Sequence, residues 1–217
     1  MSAALEVELK LRASEAALDA LAALPSLGPA ELGAPVSVDE TDVYLDTAGG
    51  ALAAARWACR LRTRDGQRRI SLKGPAAHAD GDPVHRRPEL EGPAPDGAFD
   101  EPSAWPDSDA RELVLRLTGD EPLRELLRLR QRRVERPALV DGRRAALLSL
   151  DRVTVERDGV ALGEMRVAEL ELDAGTPDWV RRAMVDALRS RDGLVPERDS
   201  KLERALELAR GAAEAAG

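Results

Sequence analysis

The feature that most constrains this chain is a charge alternation that recurs along its length. In the first segment Leu5, Val7, Leu9 and Leu11 alternate with Glu6, Glu8, Lys10 and Arg12. That is the period of a strand with one apolar and one polar face. The same period places Arg60 with Arg62, and Arg69, Ser71 and Lys73 opposite Ile70 and Leu72. It also pairs Glu89 with Glu91 and Ser149 with Asp151, and sets Glu169, Glu171 and Asp173 opposite Leu170 and Leu172. One charged strand face is ordinarily a solvated surface. Here the charged faces recur and differ in sign, with carboxylates at Glu89/Glu91 and Glu169/Glu171 and cations at Arg60/Arg62 and Arg69/Lys73. A flat antiparallel sheet with one wet face gives this pattern. So does a closed barrel whose charged faces line a water-filled lumen, provided helices cover its apolar outside.

The remaining segments supply such helices. Ser14 caps an Ala/Leu-rich helix reaching about Leu24 and stopped by Pro25. Residues 25–36 read as a Pro/Gly loop, 36–45 as a strand and 46–50 as a turn. Strands 57–64 and 67–73 meet at Asp65-Gly66, a strong hairpin signal. A loop over 74–83, a strand over 84–91 and a surface loop over 92–107 follow. Residues 109–117 and 121–127 read as short helices. Two more hairpins turn at Asp141-Gly142 (129–139 with 144–151) and Asp158-Gly159 (153–157 with 166–173). Pro177 opens an amphipathic helix with Trp179, Val180, Met184 and Leu188 on one face, and Ser200 caps a last helix to about Arg210. Asp-Gly hairpins on both sides of the 92–107 loop predict one domain over 1–212, followed by a flexible tail over 213–217.

Composition narrows the function. The 217 residues carry a formal charge of −8, the wrong sign for a general nucleic-acid binder. Aromatic residues make up 2%, so platforms for stacking bases are scarce. The single cysteine, Cys59, excludes an intramolecular disulfide and a Cys-rich zinc site. It lies out of phase with Arg60 and Arg62, which predicts a small buried apolar group. The histidines, His78 and His85, fall in or beside a loop and read as surface residues, so mononuclear zinc is disfavoured. No signal sequence and no apolar run of about 18 residues occurs, which predicts a soluble cytoplasmic protein with no membrane partner. No glycine-rich phosphate loop precedes Lys73-Gly74. A ligand suited to both signs of charge is a polyanion chelated by a divalent metal. Carboxylates bind Mg²⁺ or Mn²⁺ as hard oxygen donors, while Arg and Lys take the phosphate oxygens.

Several segments, in order, then resemble one family. Glu6-Val7-Glu8-Leu9-Lys10 is an ExExK motif on the first strand. Tyr44-Leu45-Asp46-Thr47, Arg60-Leu61-Arg62, Leu72-Lys73-Gly74-Pro75 and Arg87-Pro88-Glu89-Leu90-Glu91 follow. Leu150-Asp151, Glu169-Leu170-Glu171-Leu172 and Ser200-Lys201 complete the set. Together they resemble the CYTH superfamily, the triphosphate tunnel metalloenzymes. The resemblance implies an α+β fold, an eight-stranded antiparallel β-barrel tunnel with flanking helices, that threads a triphosphate-containing small molecule and requires Mg²⁺ or Mn²⁺. It makes Glu6, Glu8, Glu169 and Glu171 metal ligands, with Asp151 close by. It makes Lys10, Arg60, Arg62, Lys73 and Lys201 phosphate contacts, joined by Arg132 or Arg133, which point to opposite faces. Glu89 matches a mid-chain glutamate and joins Glu6, Glu8, Lys10 and Lys73 as a catalytic candidate. The sequence departs from the family at Val134-Glu135-Arg136-Pro137, where an aromatic residue is usual and Pro137 weakens a strand end. The expected activity is metal-dependent hydrolysis of inorganic triphosphate. Hydrolysis of thiamine triphosphate or nucleoside triphosphates, adenylate cyclisation and a non-catalytic polyphosphate-binding module are the alternatives. The oligomeric state is left open.

Overall fold

A computed structural model describes residues 4–77, 84–97, 99–119 and 121–216. Its centre is a barrel of eight antiparallel strands: β1 (Ala4–Ala13), β4 (Val36–Thr47), β5 (Ala58–Arg64), β6 (Gln67–Lys73), β7 (Val84–Pro93), β8 (Leu123–Val140), β9 (Arg143–Arg157) and β10 (Val160–Leu172). They run in the order β8-β4-β5-β6-β7-β1-β10-β9, and β9 pairs back onto β8 to close the ring. Closure removes the free edges that an open charged sheet would expose. Two short strands, β2 (Ser26–Leu27) and β3 (Ala30–Leu32), extend the sheet from β8, and β11 (Leu194–Pro196) pairs with the end of β1.

The hairpins form where the sequence predicts them. Asp65-Gly66 and Asp141-Gly142 each hold both central residues at positive φ, at 49° and 74° and at 50° and 74°. Such turns match the twist of the strands they join. The hairpins at Asp141-Gly142 and Asp158-Gly159 share one strand, because β9 runs unbroken from Arg143 to Arg157.

Most outward-facing apolar residues are buried under helices, whereas Leu5 near the start of β1 is exposed. Leu9, Leu11, Leu148, Leu150 and Leu170 pack beneath α1 (Glu15–Ala22) and α4 (Asp178–Arg189). Leu45, Leu61, Ile70 and Leu72 pack beneath α2 (Ala51–Ala54) and α3 (Asp109–Thr118). A third cluster lies inside the barrel at one end. Leu127, Leu129, Val153, Val155, Met165 and Val167 share the parity of the charged inner residues, and α5 (Lys201–Ala216) packs on them through Leu202, Ala205 and Leu206. The lumen is therefore apolar at that end and charged elsewhere.

Several local expectations are corrected. Residues 121–127 do not form a helix, since β8 begins at Leu123. A bulge opposite Tyr44 and Leu45 breaks the alternation, and the buried Leu123 and Leu127, four apart, imitate a helical period. The 25–36 loop contains β2 and β3. In the 46–50 turn the Asp46 carboxylate accepts from the backbone N–H of Leu52 and Ala53 at 2.9 and 3.0 Å and caps α2. Asp46-Thr47 is thus a structural device. β8 passes through Pro137, which falls between the end of β4 opposite Glu135 and the start of β3 opposite Ala138. A ladder donor is dispensable on that side of the strand. Trp179 does not join Val180, Met184 and Leu188 in the core and is 63% exposed. His85 is buried rather than on the surface, with Nε2 2.8 Å from the Glu197 carbonyl oxygen. His78 lies outside the described residues. Cys59 is buried behind Arg60, as its phase predicts. The last helix runs through Ala216. Among the described residues no helix is long and apolar enough to cross a membrane.

Arg136 explains how α1 and the β2–β3 hairpin are fixed to the barrel. The buried guanidinium donates to the carbonyls of Leu21, Ala22, Leu24, Leu32 and Gly33, with no carboxylate in the set. Leu21 and Ala22 are the last residues of α1, where free carbonyls carry partial negative charge. Replacing Arg136 strands these acceptors. Arg136→Met is expected to lose about 3 kcal/mol in urea unfolding, because each buried acceptor left unpaired costs about 1–3 kcal/mol. An unchanged unfolding midpoint would show that the anchor is dispensable.

Candidate active site

Period-2 projection brings the inward residues of all eight strands onto one lumen. Together with Ser200, Lys201 and Leu202 at the start of α5 they enclose a cavity of about 240 Å³. The cations are graded along it. The Arg69 and Arg64 side chains are 62% and 35% exposed, while those of Lys201 and Lys10 are 6% and 2% exposed. Arg69 and Arg64 therefore stand at the mouth, and Lys10 and Lys201 at the inner end against the apolar cluster.

Four groupings of opposite charge line the walls. Near β1 and β7, Arg87 donates to Glu6 Oε2 at 2.7 Å and to Glu8 Oε1 at 2.6 Å, and Lys73 also bonds Glu6. Lys73 lies 3.5 Å from Glu89, which accepts from the Ser71 hydroxyl at 2.7 Å. At the inner end, Arg133 grips Asp151 with Nε and Nη2 at 2.7 and 2.8 Å, and Lys201 donates to Asp151 and Glu169 at 2.5 and 2.9 Å. Lys10 sits 3.3 Å from Glu8 and 3.9 Å from Glu169, bridging two walls. On β4, the fully buried Asp42 accepts from both Nε and Nη2 of Arg62 at 2.8 Å, from Gln131 at 2.9 Å and from Arg60 at 3.3 Å.

Most of these acids are held ionised. Burial alone would raise the Glu6 and Glu169 carboxyls. Lys73 and Arg87 more than offset this at Glu6, and Lys201, Lys10 and Arg133 do so at Glu169, so both lie below the usual carboxylate range. Asp42 is depressed likewise, against burial, by Arg60 and Arg62. Burial, with Arg60 and Arg87 nearby, lowers the Lys73 ammonium. Glu171 moves the other way. Burial and the neighbouring Glu6, Glu8 and Glu89 raise its carboxyl against the more distant Lys73, and among the described residues no cation lies within 4 Å of it.

The expected site residues Glu6, Glu8, Lys10, Arg60, Arg62, Lys73, Glu89, Glu169, Glu171 and Lys201 all line the cavity. Arg133 does so too, whereas Arg132 lies on the outer face in a groove with Asp39 and Arg152. Placing Arg132 at the site is corrected by strand parity. Asp151, expected close to the metal, has both its oxygens on Arg133 and Lys201 and holds those two cations in place. Sequence reasoning missed Arg87, although it shares parity with Glu89. It also missed Asp42, whose alternation with Val43 and Tyr44 carried no separate signal.

The donor set fits a hard divalent cation. Glu8 and Glu171 are direct cross-strand partners on the inner face, and Glu6 lies two residues along. Opposed like charges are destabilising without a counter-ion, and all the donors are oxygens. As the side chains stand, no three of them converge on an ion among the described residues, because Arg87 and Lys73 draw Glu6 and Glu8 aside.

The CYTH domain family matches residues 4–206. No curated protein matches. Among solved structures, a candidate adenylyl cyclase from Hippeastrum with a dominant triphosphatase activity is 21% identical, covering 93% of this chain and 95% of its own, with a TM-score of 0.64. A candidate adenylate cyclase from Bacillus halodurans is 16% identical, covering 94% of this chain and 98% of its own, with a TM-score of 0.62. At these identities the likeness is one of fold.

Two predictions follow from the burial of single groups. Burial pushes the Cys59 thiol up to about 12, so it is expected not to react with a disulfide reagent at pH 8 until the protein unfolds. Rapid labelling of the native protein would contradict its placement. Because Asp42 is depressed in the folded state, its stabilisation is complete above the unfolded carboxylate value of about 3.9 and lost as pH falls below it. Asp42→Asn is expected to cost about 3 kcal/mol at pH 7. That deficit should shrink between about pH 4 and 2 in urea titrations, and a pH-independent deficit would contradict the ionic role.

Proposed function

The chain belongs to the CYTH domain family, and from the chemistry of its lumen we propose that it is a divalent-metal-dependent triphosphatase acting on inorganic triphosphate. The observation that carries this reading is the barrel lumen lined by both signs of charge, where Glu171 has no cation within 4 Å among the described residues. The Hippeastrum relative's triphosphatase activity agrees with it. The favoured substrate has no ring because the lumen offers little to stack on. Tyr44 is its aromatic lining residue and is buried against Leu127 and Leu129, while Trp57 packs outside the barrel near Gly74.

Without ligand, the lumen's cations and carboxylates neutralise one another. An entering triphosphate gives the cations a second set of oxygens. Arg133, Lys201 and Lys10 take phosphate oxygens at the inner end, and Arg60, Lys73 and Arg87 take those nearer the mouth. As Arg87 and Lys73 turn to phosphate, Glu6 and Glu8 are released to join Glu171, and with Glu169 they would hold Mg²⁺ or Mn²⁺. Such an ion supplies charge neutralisation at phosphate oxygens and a positioned water. Asp42 and Asp151 keep the arginines aimed while this exchange occurs.

Phosphate release from triphosphate, ATP and thiamine triphosphate, with each metal, tests the reading. Triphosphate is expected to be the best substrate. Glu6→Gln and Arg133→Ala are each expected to lose roughly 100-fold or more in kcat/KM, the scale for removing one preorganised charged contact. Arg132→Ala, on the outer face, is expected to stay within about twofold. Metal-independent release, cyclic AMP from ATP, or equal losses at Arg132 and Arg133 would overturn it.

A further inference from the structure

The barrel wall has a seam. β1 is last paired with β10 at Arg12 and Val167 and ends at Ala13, whereas β10 extends away to Val160 with β9 as its remaining neighbour. The gap is covered by α5 and the segment before it. Behind it lies a second cavity of about 180 Å³, lined by Arg12, Met165, Glu197, Arg204 and Leu208. Lys10 and Lys201 line both this cavity and the lumen, so the two spaces share a wall made of these two cationic side chains. Glu197 straps the outside, with Oε2 3.3 Å from Nε of both Arg12 and Arg204, and its backbone N–H donates to the Lys10 carbonyl at 3.0 Å.

If the lumen works as a triphosphatase, this geometry solves a problem that its shape creates. The mouth lies at Arg64 and Arg69, and the far end is blocked by the apolar cluster under α5. A phosphoryl group cleaved at the inner end sits behind the pyrophosphate that separates it from the mouth. We propose that orthophosphate formed at the inner end leaves sideways, past Lys10 and Lys201, through the seam cavity. Five cations, Lys10, Arg12, Arg166, Lys201 and Arg204, face three carboxylates, Glu164, Glu197 and Asp199, so the route keeps a net positive lining, the sign a phosphate needs, and displacement of either lysine joins the two spaces. Orthophosphate and pyrophosphate then leave by separate openings, in either order.

The proposal rests on the triphosphatase reading, and transient kinetics separates the two. Phosphate formed is read by acid quench, and phosphate free in solution by a fluorescent phosphate-binding sensor. In the wild type, free phosphate is expected to follow formation without waiting for pyrophosphate to dissociate. Leu208→Trp fills the seam cavity and Arg204→Glu reverses its charge, and neither residue lines the lumen. Each variant is expected to form phosphate at the wild-type rate in the first turnover but to release it roughly tenfold more slowly, making release limiting. Release at the wild-type rate in both folded variants, or wild-type phosphate that appears with pyrophosphate, overturns the side exit and leaves the triphosphatase reading intact. Folded wild-type protein that forms no phosphate overturns both.

Discussion

Burying charge of both signs inside a barrel is the constraint on which this structure depends. Each ion taken from water costs several kcal/mol unless an opposite charge and further hydrogen bonds meet it. The barrel meets the cost by register. Antiparallel pairing sets Lys10 opposite Glu169, Arg87 opposite Glu6 and Arg133 opposite Asp151, so neighbouring walls supply one another's partners. Among the described lumen residues, few lack such a partner. Glu171 is the clearest, and it lies where an added cation would complete the set. The same lumen that is tolerable when empty, because its charges cancel in pairs, is receptive to a metal-bound polyanion, because those pairs can be exchanged.

Everything outside the lumen keeps that register fixed. The helices bury the outer faces, and a slip of one residue would turn Glu6, Glu8 and Lys10 outward and Leu5, Val7 and Leu9 inward. Asp46 capping α2 and Arg136 capping α1 join two of these helices to particular strands. The third apolar cluster has a different use. By filling one end of the barrel it makes the lumen directional, graded from exposed arginines to buried lysines.

Much of this was legible in the sequence because a strand's period is two and the charged faces are long. The inner sets on β1, β5, β6, β7, β9 and β10 could be written down from parity alone, as could the burial of Cys59. Three Asp-Gly turns fixed the hairpins. What stayed hidden depended on pairing between distant strands. Arg132 and Arg133 are equivalent in sequence, and only the register of β8 against β9 sets Arg133 beside Asp151. The bulge opposite Tyr44 disguised the start of β8 as a helix. Asp42 is one acid among many until Arg60, Arg62 and Gln131 close around it. Arg87 is one member of a motif in the sequence, and its grip on Glu6 and Glu8 depends on the β1–β7 pairing. Arg136 looks like a surface cation because its partners are all backbone carbonyls, which no side-chain pattern reveals.

The central claim is that the lumen exchanges its internal ion pairs for a metal and a triphosphate. The most direct test is a crystal structure with tripolyphosphate and Mn²⁺, using anomalous scattering to place the ion. The account predicts phosphate oxygens on Arg133, Lys201 and Lys10, Mn²⁺ among Glu6, Glu8, Glu169 and Glu171, and Arg87 withdrawn from both glutamates. An ion bound elsewhere, or phosphate bound outside the barrel with the internal pairs intact, would contradict it.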